Sequence, residues 1–108
     1  MEAWATAHRV AVLGFSTLPD KPTQYHNEAE VINTLETFKP DLLVTASYGE
    51  LISKETIQHA THGGLNVHPS LLPRWRGADP IPWAILAGDH QTGASIVTLA
   101  DTFDAGKI

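Results

Sequence analysis

An α/β fold built on a mostly parallel sheet is what this sequence predicts, and three observations predict it. Short apolar runs of strand length alternate with stretches whose apolar residues fall at helical spacing. The run Asp41 to Ser47 is almost continuously apolar, the pattern of a parallel strand buried on both faces. Proline and glycine mark the boundaries, at Pro40, Gly49, Gly63-Gly64 and Pro80. Strand-helix-strand alternation of this kind closes into a parallel sheet with flanking helices.

The elements follow in order. Met1 to His8 contains an early acid, Glu2, and no long apolar segment, so it reads as neither a signal peptide nor a transit peptide. Arg9 to Phe15 is a short apolar run, either a strand or an apolar connection. Ser16 to His26 is expected to be loop, because Pro19 and Pro22 each fix φ and remove a backbone donor. Asn27 is a candidate cap for a helix through about Lys39, with Ala29, Val31, Ile32, Leu35 and Phe38 at helical spacing and Pro40 as its stop. Asp41 to Ser47 is strand and Tyr48-Gly49 a turn. Ser53 can cap a short helix over about Lys54 to Ala60, and Glu55 in its first turn suits the positive end of the helix. Gly63-Gly64 ends that helix. Leu65 to His68 is the next strand, and Pro80 to Leu86 a helix with proline in its first turn. Ala94 to Leu99 is the last strand, and Asp101 to Gly106 a loop. There is no internal repeat and no low-complexity tract.

A length of 108 residues points to one domain or part of one. With 43% hydrophobic and 18% charged residues the chain is globular rather than disordered. The net charge of −5 argues against holding a polyanion by a basic patch of this chain alone. Cysteine is absent, which excludes disulfides and thiolate zinc sites. No apolar run approaches the roughly 20 residues of a membrane span, so no membrane partner is expected.

The chemistry concentrates in residues 64–80, Gly-Leu-Asn-Val-His-Pro-Ser-Leu-Leu-Pro-Arg-Trp-Arg-Gly-Ala-Asp-Pro. On a strand, Asn66 and His68 project to one side. An acid follows in Phe103-Asp104-Ala105-Gly106. Amide, imidazole and carboxylate together make a plausible acyl-transfer site. Asn66 can donate to an oxyanion, His68 can serve as acid, base or oxyanion partner, and Asp104 can orient the imidazole and favour its charged form. Each also has a plainer reading: a turn-capping Asn, a core histidine bonded to a carbonyl, and a turn aspartate. In open α/β sheets ligands bind beyond the carboxyl ends of strands, where Ser47-Tyr48-Gly49, Asn66-Val67-His68 and Asp101 to Asp104 would converge.

Ser70 lacks the Gly-x-Ser-x-Gly surroundings of a nucleophile and reads as a cap for Leu71-Leu72-Pro73. Arg74 and Arg76 either meet a phosphate or carboxylate or are solvated beside a packed Trp75. Asp79 can cap the helix after it. Trp83, Ile85 and Leu86 read as core. His59 and His62 lack a metal-binding motif around them, so no metal is expected. Gly14 lacks the partners of a dinucleotide fingerprint, and no Walker-type phosphate loop occurs.

Asn66-Val67-His68-Pro69-Ser70-Leu71-Leu72-Pro73 resembles the signature of the folate-dependent formyltransferases. The following Arg74-Trp75-Arg76-Gly77-Ala78, Pro80-Ile81, Gly88-Asp89 and Thr92-Gly93 resemble the branch acting on methionyl-tRNA more than the branch acting on glycinamide ribonucleotide. The resemblance runs from about Asp41 to Ile108. It implies a partial Rossmann-like sheet, and residues 1–108 as a formyltransferase catalytic domain incomplete at both ends, with its motif-bearing core at about 41–108.

It also implies that Asn66, His68 and Asp104 are the catalytic trio. The donor would be 10-formyltetrahydrofolate, and the acceptor the amino group of initiator methionyl-tRNA, held mainly by regions absent here. Protonated His68 and Asn66 would stabilise the tetrahedral oxyanion. Asp104 would orient His68 and relay the proton lost by the amine through water. Ser47, Tyr48, Gly49, Ser70, Leu71, Leu72, Pro73, Arg76 and Asp101 would contact substrate or folate. The Phe103-Asp104-Ala105-Gly106 form resembles organellar eukaryotic members, which implies a mitochondrial location, with the cytoplasm as alternative. Two other readings stand beside this one. One is a different folate-dependent formyltransferase or hydrolase with a nucleotide or sugar acceptor. The other is a non-catalytic α/β fragment.

Overall fold

The computed structural model describes residues 2–13 and 27–108. Chain order among them is α1 (Glu2–Ala7), α2 (Glu28–Phe38), β1 (Leu43–Ala46), α3 (Lys54–Gln58), β2 (Gly64–His68), α4 (Pro80–Leu86) and β3 (Ser95–Thr98). The class is α/β, a three-stranded sheet in the order β1-β2-β3 with flanking helices.

The helices form where the caps and stops predict them. α2 begins after Asn27, whose side chain makes no capping bond; Glu28 and Glu30 in its first turn suit the positive helix end instead. Lys39 ends it in a left-handed conformation, its N–H donating to the Leu35 carbonyl at 2.7 Å. The Ser53 hydroxyl accepts from the Thr56 N–H at 3.0 Å and caps α3. α4 has the expected bounds, but Asp79 stands at its N-cap with φ 55° and makes no side-chain capping bond. α1 is unanticipated. It is closed by His8, whose ring lies 4.1 Å from the Trp4 ring and bonds the Trp4 carbonyl at 2.8 Å. Residues 9–13 are turn and irregular chain rather than strand. The remainder of the Arg9 to Phe15 run and the expected loop Ser16 to His26 lie outside the described residues.

The sheet departs from expectation in the burial of β1. β1 is not buried on both faces: burial alternates along it, and Val44 is 63% exposed. Its apolar run reflects side-chain type on both faces, but Val44 and Ala46 stay exposed while Leu65 and Val67 beside them are half-buried. The sheet is also mixed. β1 pairs parallel with β2, across the α3 crossover, whereas β3 pairs antiparallel with β2, placing His68 opposite Ser95. An antiparallel return means that the connection 69–94 leaves and re-enters the sheet at the same end. That end is the carboxyl end of β2, where the conspicuous sequence lies.

The register divides the side chains by face. Thr45, Asn66, His68, Ser95 and Val97 share one face, and Val44, Ala46, Leu65, Val67, Ile96 and Thr98 the other. Val97, His68 and Ser70 are buried beneath the loops that fold over the first face. Trp83, Ile85 and Leu86, expected in the core, are exposed; the buried side of α4 is Pro80 and Ala84.

Candidate active site

The site is assembled around one carboxylate. Asp104 follows β3, and because β3 runs antiparallel its end points away from the carboxyl ends of β1 and β2. Asp104 arrives by a return of the chain across the sheet face, not by the convergence of three strand ends. Closure of that return is tight. The Thr98 N–H donates to the Lys107 carbonyl at 2.9 Å, the Lys107 N–H to Thr98 Oγ1 at 2.7 Å, and a Cβ on Gly106 would overlap the Thr98 carbonyl oxygen. Gly106 is therefore required for the loop to lie down and deliver Asp104.

Asp104 Oδ1 accepts from Asn66 Nδ2 at 3.0 Å. Its Oδ2 lies 3.3 Å from His68 Nδ1 and accepts from the Gly77 N–H at 2.9 Å. The trio that resemblance singles out is thus one bonded cluster. The His68 and Asp104 side chains are each 5% exposed. His68 Nε2 faces the Trp75 carbonyl at 2.8 Å. Both ring nitrogens therefore face acceptors, and the doubly protonated imidazolium is the form that donates to both. Thr45 Oγ1 donates to Asn66 Oδ1 at 2.8 Å. That bond orients the amide with its oxygen toward Thr45 and its nitrogen toward Asp104. It leaves one amide hydrogen for a ligand.

Beside the cluster lies a cleft of about 510 Å³. Asn66, His68 and Asp104 form its polar end, Ser47, Tyr48 and Gly49 one side, and Ile81, Pro82 and Phe103 an apolar wall. Burial, with the charge and hydrogen bond of Glu50 behind it, pushes the Tyr48 phenol up to about 12, so it stays neutral at ordinary pH. Backbone strain gathers here. Ser47, Trp75, Asp79 and Asp104 all have positive φ, which non-glycine residues adopt only when surroundings hold them. Asp79 lines the cleft with an exposed side chain.

Other residues expected at a substrate site stand elsewhere. Ser70 is buried and its hydroxyl donates to the Arg74 carbonyl at 2.7 Å, closing the turn over Leu71-Leu72-Pro73. The Leu72 N–H donates to Ser95 Oγ at 3.0 Å. None of Ser70, Leu71, Leu72, Pro73, Arg76 and Asp101 lines the cleft. Arg74 meets a carboxylate, one of the partners expected for it, in a bidentate pair with Asp89. Sequence reasoning missed Thr45, the Trp75 carbonyl and the Gly77 N–H. Thr45 is recognisable only once β1 is registered against β2, and backbone groups carry no side-chain signature. Among the described residues no group of three or more His, Cys, Asp or Glu could hold a metal ion.

Comparison with known proteins gives one family. The model of the formyl transferase family matches residues 6–108. The chain is 43% identical over 107 residues to a methionyl-tRNA formyltransferase of Anaeromyxobacter dehalogenans, covering 99% of this chain and 32% of that protein. It is 54% identical over 71 residues to the methionyl-tRNA formyltransferase of Wolbachia pipientis, covering 66% of this chain and 24% of that one. Among solved structures, phosphoribosylglycinamide formyltransferase from Bacillus halodurans superposes with a TM-score of 0.81 at 30% identity, over 96% of this chain and 53% of that one. The chain spans about a third or less of the length of these curated relatives. With the match running through both the strand that carries Asn66 and His68 and the loop that carries Asp104, this chain belongs to the formyl transferase family.

Proposed function

We propose that this chain carries the centre that moves the formyl group of 10-formyltetrahydrofolate onto the amino group of initiator methionyl-tRNA. The observation that carries the reading is the Asp104 carboxylate bonded to the Asn66 amide at 3.0 Å and 3.3 Å from the His68 ring. The folate is a co-substrate that brings the formyl carbon. A cleft of about 510 Å³ lies in the size range of small-molecule sites, and its wall of Ile81, Pro82 and Phe103 suits a flat ring system beside a polar end.

The roles follow from the bonds. Asn66, its amide oriented by Thr45, offers its second hydrogen to the oxygen of the formyl group as negative charge develops there. His68, clamped between Asp104 and the Trp75 carbonyl, holds positive charge beside the same oxygen. Asp104 orients both and takes up, through a water, the proton released by the attacking amine; that proton passes to the folate nitrogen as its bond to the formyl carbon breaks and tetrahydrofolate leaves. The names of the relatives support methionyl-tRNA as acceptor. The net charge of −5 supports a reading in which this chain supplies little of the RNA contact. A mitochondrial location belongs to the same proposal, and fractionation of cells expressing the tagged protein tests it.

The likeness to the phosphoribosylglycinamide formyltransferase structure favours a second acceptor, a glycinamide ribonucleotide. One experiment separates the two. The chain is supplied with 10-formyltetrahydrofolate and either acceptor, beside a His68→Ala variant. Transfer to the tRNA that falls at least ~100-fold on substitution is the expected result. Transfer to the ribonucleotide alone establishes the second reading. No transfer to either rejects both for this chain.

A further inference from the structure

Trp75 joins two parts of the molecule. Its carbonyl receives His68 Nε2 at 2.8 Å, the one hydrogen bond of that nitrogen among the described residues. Its backbone sits at φ 57°, a conformation a bulky residue does not hold unaided. What holds it is on the far side. The indole Nε1–H donates to Asp89 Oδ2 at 2.7 Å. The same carboxylate takes Arg74 Nε at 2.8 Å and Arg74 Nη2 at 2.6 Å, and the Arg74 guanidinium lies 4.3 Å above the Trp75 ring. Trp83 of α4 stacks on the other part of the indole, with ring centroids 6.3 Å apart and planes 12° apart. Asp89 is itself fixed to α4, its N–H donating to the Ala84 carbonyl at 3.0 Å.

We infer that Asp89, outside the cleft, is a positioning residue for His68. It pins the Trp75 side chain, and thereby the left-handed turn whose carbonyl aligns the imidazole. The inference rests on the reading of His68 as the charged group of the transfer site. The bonds from Arg74 and then Trp75 hold the Asp89 carboxyl down to about 2, so the clamp stays ionised across the working range. Without it, Trp75 relaxes toward ordinary backbone angles, its carbonyl turns away, and His68 keeps one partner instead of two. The ring then swings about its bond to Asp104. A positioning fault of this kind lowers the rate of the bound complex more than it weakens substrate binding.

The test reads His68 directly, by side-chain 15N–1H spectra of the 108-residue chain and its Asp89→Ala variant. Expected are loss of the hydrogen-bonded Trp75 indole signal and exchange of the His68 Nε2 proton with water roughly tenfold faster, with the Asn66 amide signal unmoved. Should Asp89→Ala not fold, Trp75→Phe keeps an aromatic ring and the carbonyl but deletes the indole N–H, and it must shift His68 in the same direction. Asp89→Asn, which retains an acceptor for the indole, should restore most of the His68 signal. In a formyl-transfer assay kcat should fall on the order of tenfold with KM little changed. An unshifted His68 signal in a folded Asp89→Ala or Trp75→Phe protein overturns the inference. These signals report on the clamp whether or not formyl transfer occurs, so a failed assay alone speaks against the proposed function and not against the clamp.

Discussion

The two faces of the three-stranded sheet are built on opposite terms. One carries Thr45, Asn66, His68 and Ser95 beside only two large apolar residues, Leu43 and Val97, among the described strands, yet it is the covered face: Val97 is 1% exposed and His68 4%. The other carries Val44, Leu65, Val67 and Ile96, yet Val44 is 63% and Ile96 50% exposed. Hydrophobicity alone would bury the second face first. The first is covered because its polar groups are satisfied in place. Asn66 bonds Thr45 and Asp104, His68 bonds Trp75 and Asp104, and Ser95 bonds Leu72 and Ser70. A buried polar group that is fully bonded ties down the loop that bonds it, whereas an open apolar face orders nothing above it.

The largest break in this comparison should come from Asp104→Ala. It strips three donors, Asn66, His68 and Gly77, of one shared acceptor. Urea denaturation should show a loss of about 3 kcal/mol, and formyl transfer should fall beyond ~100-fold. Gly106→Ala comes next. Its Cβ collides with the Thr98 backbone, and forcing it in should cost about 2 kcal/mol by the same denaturation and loosen the Asp104 loop. A paired measurement then sharpens the contrast between the faces. Val97→Ala should cost about 2 kcal/mol, while Val44→Thr on the open face should stay within about 0.5 kcal/mol. Equal losses in the two variants would mean that the open face is covered in solution.

Smaller effects test the loop ends. The carboxyl of Asp89 is depressed in the folded chain, so its contribution is present above the ordinary carboxylate value and is lost as pH falls through about 2. A carboxylate titration followed by 13C resonance should therefore find Asp89 ionised well below pH 3.8, where a relaxed loop would have protonated it. Smallest of all, Asp79→Gly at φ 55° should leave stability unchanged or raise it by at most about 1 kcal/mol, because the side chain makes no capping bond and glycine accepts the angle freely. A marked loss of stability on that change would show that the Asp79 carboxylate has a partner.

Much of the fold was legible because its signals are local. Ser53 caps α3, Pro80 opens α4, and Gly63 lies between α3 and β2. These depend on bonds spanning a few residues. α1 was not legible, since six residues around Trp4 and His8 hold together by a ring contact that has no periodic signature. The burial of β1 was misjudged because apolar composition records what a face prefers, not whether another element reaches it. The placement of Trp83, Ile85 and Leu86 failed for the same reason.

By itself the sequence determined the family, the run of elements from α2 onward, and the projection of Asn66 and His68 to one side, since strand alternation follows from backbone geometry alone. Tertiary structure decided the rest. The direction of β3, and with it the path that returns Asp104 across the sheet, depends on pairing between residues far apart in the chain. The use of Thr45, the Trp75 carbonyl and the Gly77 N–H depends on register and on a loop fold held from Asp89. Local pattern is written in neighbours a few residues apart. A site is written in contacts between distant segments, and those exist only once the chain has closed.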